Sequence, residues 1–212
     1  MAELTDSLNQ LLEGRADQIG KRIGADENQT RQALHAAVPA LLAAFSQEAE
    51  RGGGIRTAIE QDHDGAIIDQ LSEYLGGSAQ LSPRTTNGAG ILDHVLGDRQ
   101  GDLQQRLSGQ SGLSAGNIGN LLVILAPIIM GMLGKKGRTS GGESGGGAGG
   151  FNLDDIGDLL NREKQDAKAK NPDIGDILDS FGQGSGTTAG SRSRSGGGFG
   201  DMLDGFLGKK DR

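Results

Sequence analysis

The chain has 212 residues, a net charge of −7, 34% hydrophobic and 3% aromatic residues, and neither cysteine nor tryptophan. The lack of cysteine excludes disulfides, thiol catalysis and cysteine-ligated zinc, and the acidity weighs against non-specific attraction to nucleic acid or anionic lipid. Glycine is the outlier, with 39 residues and no Gly-X-Y period, which points to flexible linker rather than collagen.

The N-terminus, Met1 to Asp6, carries no basic-then-apolar leader, so a cytoplasmic location is expected. Apolar residues recur at Leu4, Leu8, Leu11, Leu12, Ile19 and Ile23, the three- and four-residue spacing of amphipathic helices. Gly24 reads as a helix stop and Asp26 as a cap. The helix that follows carries Ala33, Leu34, Ala37, Val38, Leu41, Leu42 and Phe45, and Gly52-Gly53-Gly54 ends it. Pro39 lies inside and is expected to kink it, because proline removes a backbone donor and crowds the preceding turn.

Two short helices of like design come next. Asp64 to Leu71 leads to Tyr74-Leu75-Gly76, and Gly88 to Gly97 resembles it; each is closed by a glycine. Gly112 and Ser114 then repeat the stop and the cap, before a helix carrying Leu121, Leu122, Leu125, Pro127, Ile129, Met130 and Leu133. Adding 88 carries Gly24 onto Gly112, Asp26 onto Ser114, Pro39 onto Pro127 and Phe45 onto Leu133, which suggests an internal duplication or two similar helices packed as a pseudo-symmetric pair. No run alternates with period two. The expectation is an all-α helical bundle with two proline-kinked core helices, spanning residues 1–134.

Composition changes at Lys135. Residues 135–150 read as a Gly/Ser linker and 151–212 as a low-complexity, largely disordered tail. The tail holds three Asp-bracketed apolar motifs whose anchors are Ile156, Leu159 and Leu160, then Ile174, Ile177 and Leu178, then Met202, Leu203 and Phe206. Each is too short to hold a helix alone in water. Each would offer two or three anchors to a groove and fold on contact, and three copies on one chain raise avidity.

Other features carry weaker chemistry. Asp17 to Leu34 has the outline of a helix-turn-helix, with Asn28, Gln29, Arg31 and Gln32 as base-reading candidates, but Asp26 and Glu27 stand where phosphates would pack. Glu60, Asp62, Asp64 and Gly65 fit the start of a calcium loop, yet Leu71 occupies the place of the bidentate carboxylate; Asp64 is better read as a helix cap. His35, His63 and His94 lie in separate segments without metal-ligand spacing, so structural or exposed roles are expected. Ser111 and Ser114 lack a nucleophile-elbow context. The Leu121–Leu133 run is about thirteen residues, short of the roughly twenty of a bilayer span, and reads as a central bundle helix.

Ala37-Val38-Pro39-Ala40-Leu41-Leu42, His63-Asp64-Gly65, Gly90-Ile91-Leu92-Asp93-His94-Val95-Leu96-Gly97, Ser111-Gly112-Leu113-Ser114 and Leu125-Ala126-Pro127 occur in this order. Together they resemble the YidB-like bacterial family, a domain of unknown function (DUF937), over residues 1–134. The resemblance implies a helical fold and a bacterial origin, and it implies no activity. The expected function is therefore a non-enzymatic protein-interaction or scaffold protein without cofactor or metal. Its tail motifs would dock on a protein partner or on its own oligomer. The alternatives are a helix-turn-helix-like nucleic-acid binder, against which the acidity weighs, and a peripheral membrane protein acting through the 121–133 helix, which is not favoured.

Overall fold

The computed structural model describes residues 3–140 apart from Gly53, and three helical positions beyond them, Arg162, Gln165 and Ala169. The three tail motifs lie outside the described residues. The described part is all-α, with no strand among its residues. Its helices are α1 (Glu3–Glu13), α2 (Ala16–Ile23), α3 (Glu27–Glu50), α4 (Ile55–Asp62), α5 (Ala66–Asp69), α6 (Leu71–Gly76), α7 (Pro83–Thr86), α8 (Gly88–Leu96), α9 (Gln100–Ser111) and α10 (Ala115–Ser140), with a 3-10 turn at Gly97–Arg99.

Two long helices organise the rest. In α3 the side chains from Ala36 to Gln47 are all buried, and in α10 those from Leu121 to Met130 are buried save the half-buried Val123. A helix that is apolar all round must be enclosed by others. Accordingly α3 packs against α1, α2, α9 and α10, while α10 also meets α2, α4, α5, α8 and α9. The helix containing the 121–133 run is longer than that run. From Ala115 to Arg138 it is long and apolar enough to cross a membrane, with a mean hydropathy of 1.8. Length therefore does not argue against a span, but burial does, since 67% of its apolar window is packed inside the bundle.

The 88-residue correspondence is visible in the backbone. Gly24 ends α2 at φ 74° and Gly112 ends α9 at φ 71°, a left-handed conformation that glycine adopts without a β-carbon penalty. Gly24 N–H donates to Gly20 O, and Gly112 N–H donates to Ser108 O, again 88 residues apart. Two residues later come the caps. Asp26 Oδ1 accepts from Gln29 N–H at 2.9 Å and Ser114 Oγ accepts from Asn117 N–H at 3.1 Å. The proline helices start at Glu27 and Ala115 and run through Pro39 and Pro127. Each unit is thus a short helix, a glycine stop, a cap and a long core helix.

The ends of two segments differ from the sequence reading. The segment from Asp64 to Gly76 is two helices, α5 and α6, parted at Gln70. And α10 runs on through Lys135–Arg138 to Ser140, beyond the point where the composition turns linker-like. Lys135 Nζ pairs with Asp69 Oδ1 at 2.6 Å and Arg138 Nη1 donates to Asp64 O at 3.1 Å, so the last turns are tied to the α4–α5 corner.

Candidate functional site

Pro127 has no N–H, so the Val123 carbonyl four residues earlier lacks its usual helical donor. The first residue of α8, Gly88, sits against that oxygen. A β-carbon at Gly88 would lie 1.8 Å from Val123 O, so only the glycine hydrogen fits, in a Cα–H···O contact. The same device recurs further along α10. A β-carbon at Gly134 would lie 1.8 Å from His63 O. The two glycines clamp α10 to α8 on one side and to the end of α4 on the other.

Residues of α4 and α8, with Met130 of α10, line an open cavity of about 340 Å³. Its apolar surface comes from Ile55, Ala58, Ile91, Val95 and Met130, and its polar groups from Asp62, His63, Arg84, Asn87 and His94. The α4 wall is tied to α7 by Thr85, whose hydroxyl donates to Asp62 O at 2.8 Å. Asn87 is occupied in capping α8, accepting from Gly90 N–H at 3.0 Å.

The two histidines differ. His63 is 2% exposed, and its Nδ1 is buried without a hydrogen-bond partner. Burial holds its pKa below the usual imidazole value, against the opposing pull of the Asp62 and Asp64 carboxylates. His94 lies at the rim, with Nε2 3.6 Å from Glu48 Oε1. Arg84 is exposed, and no described residue pairs with it. The arrangement can bury an apolar group and orient it through a few polar contacts.

The other sequence candidates are placed elsewhere. Asn28, Arg31 and Gln32 are exposed on α3, but Arg31 pairs with Glu27 and Lys21 with Asp17. Arg22, exposed on α2, donates to Tyr74 O at 2.7 Å. Asp64 Oδ1 accepts from Ala66 N–H at 3.0 Å, a cap-like turn at the start of α5, while Glu60 lies on α4. Among the described residues no group of three His, Asp or Glu side chains could hold a metal ion. His35 meets Glu13 at 3.0 Å on a different face. His63 and His94, which sequence spacing gave no reason to join, line one cavity. The available signal was that His94 belongs to one of the two like-designed segments and His63 immediately precedes the other, and both segments pack on α10.

A family model described as "Bacterial protein of unknown function (DUF937)" matches residues 6–136. No curated protein and no solved structure matches the chain.

Proposed function

We propose that this chain, which belongs to the bacterial family DUF937 of unknown function, is a non-enzymatic interaction module whose bundle receives a short apolar segment of a protein in the α4–α8 cavity. The supporting observation is a single opening that joins apolar walls to a rim of Arg84, Asn87 and His94, the composition of sites that bury an apolar group and fix it by few polar contacts. The tail motifs are segments of the matching chemistry, with apolar anchors between aspartates. The histidines are read as orienting groups rather than as acid and base. A cytoplasmic location is part of the same proposal. A nucleic-acid role draws less support, because Arg22, Arg31 and Lys21 are already engaged within the protein.

The test is affinity capture from a nuclease-treated lysate of the source bacterium, comparing the full-length chain with its Ile91→Glu variant. Ile91 is only half-buried, so the charge spoils the cavity wall while leaving the core intact. A protein held by the wild type and at least tenfold depleted from a variant of unchanged melting temperature is the expected result. Identical captures would mean that the cavity is not the receptor.

A further inference from the structure

The cavity lies beside the point where the chain leaves the bundle. Met130 of α10 lines it, and α10 ends at Ser140, about 15 Å further along the helix axis. Residues 141–150 are nearly all Gly and Ser, a composition for which ten residues span a root-mean-square distance of about 16–19 Å. The linker thus matches the return distance, the condition under which a tethered segment reaches its highest effective concentration.

We propose that residues 153–160 of this same chain occupy the α4–α8 cavity. The inference rests on reading that cavity as a receptor for apolar segments. Leu153, Ile156 and Leu160 stand at i, i+3 and i+7, one stripe of a helix suited to a groove. On that helical register Asp154, Asp155 and Asp158 stand opposite the stripe, so the apolar anchors enter the cavity while the carboxylates stay in water. The motifs at 174–178 and 202–206 are joined by longer tethers, whose effective concentration falls with length.

The chain has no cysteine, so introduced thiols are the only ones present. A full-length chain carrying Ile91→Cys and Leu160→Cys is expected to form an intramolecular disulfide at least ten times faster than one carrying Ile91→Cys and Ser191→Cys. Equal rates, or bridges only between two chains, would overturn the proposal. A labelled peptide of residues 151–162 is then titrated into the full-length wild type and into its Ile156→Asp, Leu160→Asp double variant. The variant is expected to bind about tenfold more tightly, because its own segment no longer competes. Equal binding to both, abolished by Ile91→Glu, would overturn self-occupancy and keep the receptor reading. A peptide bound by neither would also overturn it, leaving the receptor reading to the capture experiment.

Discussion

Gly88 meets Val123 at the carbonyl that Pro127 deprives of a helical donor, and no other residue type fits there, since a β-carbon would lie 1.8 Å from the oxygen. The proline and the glycine, on different helices, answer one another: one frees a carbonyl and the other leaves room for the neighbouring helix to cover it. Gly88→Ala is expected to destabilise the protein by about 1–3 kcal/mol, the usual cost of overpacking a well-filled contact. Gly109, on α9, faces open space, so Gly109→Ala is expected to raise stability by roughly 0.5–1 kcal/mol. Chemical denaturation of both variants checks the pair; equal effects would contradict the crowding at Gly88.

The duplication makes the two caps comparable. Asp26→Ala and Ser114→Ala each remove the side-chain acceptor at the start of a long core helix and are each expected to cost about 1 kcal/mol. A cost at only one of the two would show that the units are alike in backbone but not in energetics.

His63 gives a pH dependence of definite sign. Burial lowers its folded pKa below the roughly 6.5 of an unfolded histidine, so between these values the unfolded chain binds more protons. Stability is then full above about pH 6.5 and falls as the pH drops toward the folded pKa. An NMR titration of the His63 imidazole should give a midpoint below 6.5, and His63→Phe should flatten the stability profile in that window. A midpoint above 6.5 would reverse the sign and reject the buried assignment.

Arg22 joins α2 to α6, donating to Tyr74 O at 2.7 Å with its guanidinium carbon 5.4 Å from the Tyr74 ring centre. A lysine keeps the charge but loses the planar fork. Arg22→Lys is expected to cost about 1 kcal/mol, read as a lower denaturation midpoint. A neutral result would mean that the guanidinium geometry does not hold the joint.

Much of the fold can be read from local signals. Gly24 with Asp26 and Gly112 with Ser114 mark both core helices, because a positive-φ stop and a capping side chain are properties of a few adjacent residues. Harder are α4 and α9, where Ile55 with Ile59 and Leu103 with Leu107 are the buried apolar anchors. Such sparse anchoring is too weak a period to read, and tertiary packing decides the outcome. The shift of 88 nonetheless carries Ala16–Ile23 onto residues 104–111 within α9, so the duplication held that helix implicitly. The cavity had no such trace. It is what the side chains of α4, α8 and α10 leave unfilled, and His63 and His94 share it only because both flanking segments pack on one helix.

Because the second unit supplies α10, the described bundle is completed by the last of its ten α-helices. Until then the faces of α3, α5 and α8 that pack on α10, Ile67 beside Gly131 among them, lack the surface that will cover them. A nascent chain halted before residue 115 would carry a continuous apolar face into the cell, with association or a chaperone as its outlets. The N-terminal half is therefore a dependent of the C-terminal one during biosynthesis, and early termination leaves a hazard rather than a smaller working domain.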